Sequence, residues 1–127
     1  MTKVIVLGHG GYGTAMKNNL GMLLGELEGF YYIDFNPGDD LNDLDQKIKE
    51  VISGHEDDPI LFACDLTGGS PFRQACLLAV EHTNMVVVAG INTSGFADIA
   101  YALDLSPLEL ANQAMEASKE AIQVFHV

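Results

Sequence analysis

One histidine, one aspartate, two hydroxyl residues and a set of glycines are the residues whose types and order in this chain can support group transfer. His9 stands between Gly8 and Gly10, directly after the apolar run Val4-Ile5-Val6-Leu7, and Asp65 follows a second apolar run, Ile60 to Cys64. Thr67-Gly68-Gly69-Ser70 comes next, and then Pro71-Phe72. An imidazole bonded to a carboxylate through one nitrogen keeps a lone pair on the other, and the growing positive charge on the ring is stabilised. Such a histidine is a prepared nucleophile. Glycines around it remove side chains that would block a close-approaching donor. Gly68, Gly69 and Ser70 lead into a helical pattern, so their backbone N–H groups and the Ser70 hydroxyl can hold phosphate oxygens with help from the helix dipole. Thr67 contributes a further hydroxyl from the same loop. Phosphoryl transfer passes through a loose transition state, so positioning and electrostatics supply most of its catalysis, and a histidine relay needs no metal or other cofactor of its own.

Each of these residues also has a plainer use. A histidine among glycines commonly occupies a turn, and an aspartate at a strand end can cap a loop or helix. Ser70-Pro71 is a standard helix start, with serine as N-cap and proline in the first turn, a role compatible with phosphate contact. Arg73 either adds positive charge near that anion site or sits on a solvated helix face, where most helix charges lie. Asn92, Thr93 and Ser94 read as the rim of the site. His55, His82 and His126 show no metal-ligand spacing. Cys64 and Cys76 form neither a CxxC pair nor a cysteine framework, which leaves reduced, buried thiols.

Four apolar runs read as strands: Lys3 to Leu7, Phe30 to Phe35, Ile60 to Cys64 and Met85 to Ala89. Each is apolar nearly throughout instead of alternating, the pattern of parallel strands covered on both faces. Helical patterns lie between them. The first, about Thr14 to Leu27, carries Ala15, Met16, Leu20, Leu23, Leu24 and Leu27 as one stripe. The second follows the acidic pair Asp39-Asp40, which suits a positive helix N-terminus, and presents Leu41, Leu44, Ile48, Val51 and Ile52. The third opens at Ser70-Pro71 and buries Phe72, Ala75, Cys76, Ala79 and Val80. After a loop at Asn92 to Gly95, two more helices, Phe96 to Leu103 and Pro107 to about Glu120, are separated by Ser106-Pro107, because the residue before proline is pushed out of helical geometry. The tail, Ile122 to Val127, reads as a last strand. This rhythm predicts one domain over residues 1–127, an α/β fold with a doubly wound, mostly parallel sheet of order 2-1-3-4 and helices on both faces. Ligands gather beyond the carboxyl ends of such strands where the order reverses, and there the first and third strands would bring His9 to Asp65.

Composition narrows the partners. Eighteen acidic residues against six basic ones give a formal charge of -12, which repels nucleic acid and anionic lipid and suits a basic protein partner. The four-residue apolar run after Lys3 is too short for a signal-peptide core or a membrane span, so a cytoplasmic protein is expected.

The glycine-flanked His9, Ile33-Asp34-Phe35 with Pro37-Gly38, Asp65 and Gly68-Gly69-Ser70-Pro71-Phe72, in that order, resemble the enzyme IIA component of the mannose family of the bacterial sugar phosphotransferase system. The resemblance covers nearly the whole chain. It implies that phosphorylated HPr donates to Nε2 of His9, that Asp65 orients the ring, and that Ser70 falls beside the phosphate. It also implies onward transfer to a IIB protein, uptake of a mannose-class sugar through membrane IIC and IID components, and a homodimer that exchanges the segment Ile122 to Val127. Gly11-Tyr12-Gly13 is richer in glycine than the usual stretch after the histidine, and Arg73 stands where a smaller polar residue is common.

Three rival readings exist. Gly8, Gly10 and Gly13 satisfy GxGxxG after a strand, with Asp34 near the place of a ribose-binding acid, as in a dinucleotide-binding module. That reading leaves Asp65 and the Gly68 to Phe72 turn unexplained, and 127 residues hold no second nucleotide-binding half. A serine hydrolase of His9, Asp65 and Ser70 lacks the GxSxG elbow. A regulatory protein could use the same site to sense phosphorylation without passing phosphate onward.

Overall fold

In the strand Lys3–His9 (β1), Val4 and Val6 point to one face and Ile5 and Leu7 to the other, and all four are fully buried. A strand buried on both faces needs helices on both, and the computed structural model, which describes residues 1–127, supplies them. After β1 come Tyr12–Leu24 (α1), Phe30–Phe35 (β2), Leu41–Ile52 (α2), Ile60–Cys64 (β3), Gly69–Glu81 (α3), Met85–Ala89 (β4), Thr93–Ile99 (α4) and Pro107–Ala121 (α5). The four strands are parallel and ordered β2-β1-β3-β4, the doubly wound α/β topology expected from the sequence. Val4 and Val6 pack with Leu20 of α1, Phe96 of α4 and Leu110 of α5. Ile5 and Leu7 pack with Leu44 and Ile48 of α2 and Ala75 of α3. No helix is long and apolar enough to cross a membrane.

Caps set several boundaries. Asp40 accepts from the Asp43 N–H while the Asp43 carboxylate accepts from the Asp40 N–H, a reciprocal capping box that starts α2 where the acidic pair predicted it. Ser106 and Glu109 form the same box before Pro107, at the start of α5.

Other boundaries differ from expectation. α1 begins at Tyr12 and ends at Leu24, where Gly25 turns the chain with φ of 80°. Leu20 faces the core, Leu23 is 60% exposed, and Leu27 is buried from the following turn instead of from the helix. In α3, Val80 is 83% exposed, because it lies five residues and so about 140° around the helix from buried Ala75. Asn92 is the N-cap of α4, its side chain accepting from the Gly95 N–H, so Thr93 to Gly95 are the first helical turn instead of a loop. Asn92 also donates to the Ser118 carbonyl of α5 and Thr93 to Asn19 of α1, so these residues lock helices together. Ile122 to Val127 pairs with no strand of its own chain and is exposed throughout, since a strand needs a ladder partner and this segment meets none.

Candidate functional site

His9 is the last residue of β1, two residues longer than the apolar run suggested because Gly8 and His9 continue the ladder to Asp34 and Phe35. It follows Ile5 and Leu7 in alternation, so its ring leans toward the α3 side of the sheet. Asp65 lies just beyond β3, and its N–H donates to the Leu7 carbonyl at 3.2 Å. The neighbouring strands therefore bring the two side chains together as the strand order predicted. Asp65 Oδ2 accepts from the His9 backbone N–H at 2.9 Å and from ring Nδ1–H at 2.8 Å. Oδ1 accepts from the Leu66 N–H at 3.0 Å. With both carboxylate oxygens engaged and Nδ1 carrying the proton, Nε2 is left with its lone pair. The aspartate side chain is 13% exposed and the histidine 43%, so the orienting group is shielded while the reactive edge is open.

Nε2 faces the start of α3. A Cβ at Gly69 would lie 2.9 Å from His9 Cε1 and 3.1 Å from Nε2, so the ring rests on the bare Cα of that glycine. Gly68 and Gly69 have φ of 89° and 78°, a left-handed pair that only glycine adopts cheaply. The pair turns the chain into the helix two residues earlier than expected. Gly68 is the N-cap, with no side-chain cap, and Ser70 is the second helical residue instead of the cap. Pro71, third in the helix, is buried. The Gly69 and Ser70 N–H groups have no partner within the chain, as at any uncapped helix start. They form a donor pair beside Nε2 that suits anionic oxygens. Thr67 is exposed and Ser70 half-buried, and neither hydroxyl engages His9 or Asp65.

Phe35 and Tyr12 are neighbours the sequence reading did not place. The Phe35 ring meets His9 edge-on, with centroids 6.0 Å apart at 71°. Its signal was the Asp34-Phe35 pair at the end of the strand beside His9, legible only once the register His9 to Phe35 was known. A shallow cleft runs from His9 and Gly10 past Phe35 to the Asn36 to Asp39 turn. Lys47 pins that turn, donating to Asp39 at 2.6 Å and holding its carboxyl below the ordinary carboxylate range. Burial pushes the Tyr12 phenol and the Cys64 thiol each up to about 12, with the Asp65 charge as a smaller cause in both.

The GxGxxG stretch has a structural account. Asp34 accepts from the Thr14 N–H at 3.0 Å and from its hydroxyl, so both carboxylate oxygens tie α1 to β2 instead of facing a ribose. A Cβ at Gly13 would lie 2.8 Å from the Ile33 carbonyl, which makes that glycine a helix-to-strand packing position. No group of three or more histidine, cysteine or acidic side chains is placed to hold a metal ion.

Residues 3–94 match the family EIIA-man, described as PTS system fructose IIA component. The fructose-specific EIIA component of Bacillus subtilis (strain 168) is 29% identical over 98% of this chain and 86% of its own length. The mannose-specific EIIAB component of Escherichia coli (strain K12) is 33% identical over 97% of this chain, which spans 39% of that longer protein. A crystal structure of EIIA from Streptococcus agalactiae superimposes with a TM-score of 0.88 at 26% identity, covering 98% of this chain and 97% of that one. The mannose/sorbose IIA subunit of Enterococcus faecalis shares the fold, with a TM-score of 0.85 at 23% identity over 99% and 96% of the two chains.

Proposed function

The chain belongs to the EIIA-man family of phosphotransferase-system IIA components and is thereby a phosphoryl carrier of a sugar phosphotransferase system; on that premise we propose that Nε2 of His9 is the phosphoryl acceptor and phospho-HPr its donor. The observation that carries this reading is the double acceptance by Asp65 Oδ2, from the His9 N–H and from Nδ1–H, which turns Nε2 and its lone pair outward beside Gly69.

In the transfer, the Nε2 lone pair attacks phosphorus and forms the new P–N bond. The donor's P–N bond breaks, and its electron pair returns to the donor imidazole. The Nδ1 proton stays on His9, hydrogen-bonded to Asp65, whose negative charge offsets the positive charge on the ring. The Gly69 and Ser70 N–H groups and the α3 dipole receive the equatorial oxygens as charge spreads over them. Thr67, Gly68 and the Ser70 hydroxyl line the same approach. The phosphoryl group then passes to a IIB component, and through membrane IIC and IID components to an entering sugar of the mannose class, the class in which relatives are named for fructose, mannose and sorbose. Residues 1–127 fold as one domain, which works in the cytoplasm. It forms a homodimer by exchanging Ile122 to Val127, a reading supported by the exposed apolar side chains of that segment and by the unpaired outer edge of β4.

Incubation with phosphoenolpyruvate, enzyme I and HPr should label the wild-type protein with acid-labile, base-stable phosphate and leave His9→Ala unlabelled. Labelling of His9→Ala at the wild-type level would end the assignment. Loss of label on adding a IIB protein separates a carrier from a sensor.

A further inference from the structure

The Tyr12 hydroxyl is buried without a hydrogen-bond partner, and no step above uses it. Tyr12 opens α1, and its ring packs against the core on that face of the sheet. A Cβ at Gly8 would lie 2.6 Å from Tyr12 Cδ1 and 2.8 Å from both Cβ and Cγ of Asp65. Ring and carboxylate stem thus converge on the space that Gly8 leaves open. Gly8 stands beside Asp65 across the β1 to β3 ladder, so its missing side chain is what lets Asp65 lean toward His9.

We propose that Tyr12 is a positioning residue for the transfer: its ring, packed across Gly8, walls Asp65 in the orientation in which Oδ2 serves both His9 N–H and Nδ1–H. The inference rests on the reading of His9 as acceptor. The ring, and not the hydroxyl, does the positioning. Burial and the Asp65 charge keep the phenol protonated far above neutral pH, so it is no acid or base for this chemistry. What the ring supplies is shape and the exclusion of water, and a carboxylate screened from water holds its imidazole partner more tightly. An unpaired buried hydroxyl costs stability, so the fold carries it as a by-product of an aromatic wall.

The test compares Tyr12→Phe, Tyr12→Leu, Tyr12→Met and Gly8→Ala in the HPr-driven labelling assay and in long-range proton–nitrogen NMR spectra of the His9 ring. Tyr12→Phe should accept phosphate at the wild-type rate and melt at a higher temperature. Tyr12→Leu should slow acceptance about tenfold, the usual scale for losing a group that orients a reacting residue, and raise the share of the Nε2–H tautomer. Gly8→Ala, whose methyl would meet both the ring and the Asp65 stem, should change rate and tautomer in the same directions, and Tyr12→Met, a milder loss of the aromatic wall, decides the matter if Tyr12→Leu does not fold. Wild-type rate and tautomer in Tyr12→Leu, in the Tyr12→Met that replaces it, or in folded Gly8→Ala would overturn the inference. Equal slowing in Tyr12→Phe would move the role to the hydroxyl and overturn it too. If wild-type protein takes no label, the acceptor reading fails instead, while the tautomer comparison still judges Tyr12.

Discussion

Replacing Gly69 by alanine perturbs the site in two separable ways. The residue has φ of 78°, where an L side chain costs about 1–2 kcal/mol, and its methyl would lie 2.9 Å from His9 Cε1 and 3.1 Å from Nε2. Gly68 supplies an internal control. It has φ of 89° with ψ of 177°, a region that only glycine adopts cheaply, so alanine there strains the backbone at least as much, yet a Cβ at that position meets nothing within 4 Å. Both variants should lose at least about 1–2 kcal/mol of stability, a fall in Tm of about 4 °C per kcal/mol in thermal unfolding. Only Gly69→Ala should also push the imidazole off the carboxylate and cover the lone pair. A displacement approaching 1 Å of a reacting group costs on the order of 100-fold, so phosphate acceptance from phospho-HPr should fall about 100-fold in Gly69→Ala and by less than about threefold in Gly68→Ala. Initial rates of label incorporation measure this, with both proteins shown folded by circular dichroism. Equal rates in the two variants would refute the claim that Nε2 works against the Gly69 backbone.

Asp65→Ala should slow acceptance about 100-fold or more while costing only about 1–3 kcal/mol of stability, the worth of the hydrogen bonds lost; initial rates and urea unfolding decide, and a drop confined to stability would make Asp65 structural. Alkaline pH should destabilise the fold through Cys64. Its thiol ionises at about 12 when folded against 9.0 for the free group, so the stability held below pH 9 is lost progressively as pH rises toward 12. Thermal melts across that range should show the decline in wild type and a shallower one in Cys64→Ala.

Strand positions were legible because burial on both faces leaves unbroken apolar runs, and β2, β3 and β4 lie where those runs predicted. The start of α2 was legible for a local reason, since Asp40 and Asp43 cap each other. The start of α3 was misread for a local reason as well: Ser70-Pro71 has the form of a helix start, but the left-handed Gly68-Gly69 pair turns the chain sooner and leaves Ser70 inside the first turn. Asn92 read as rim because its bonds to Ser118 join residues far apart in the chain. The pairing of His9 with Asp65 was inferable from strand order alone. The stacking of Nε2 on Gly69, the edge of Phe35 and the convergence of Tyr12 on Gly8 are tertiary contacts, which no spacing along the chain encodes.

The most direct test of the account is the atom that carries the phosphate. Protein labelled with nitrogen-15 in its histidine rings, phosphorylated through HPr and observed by nitrogen and phosphorus NMR in alkaline buffer, reports which ring nitrogen couples to phosphorus. A single coupling at Nε2 of His9 is expected, with Nδ1 still protonated and hydrogen-bonded to Asp65. Coupling at Nδ1, or phosphate on His55, His82 or His126, would contradict it.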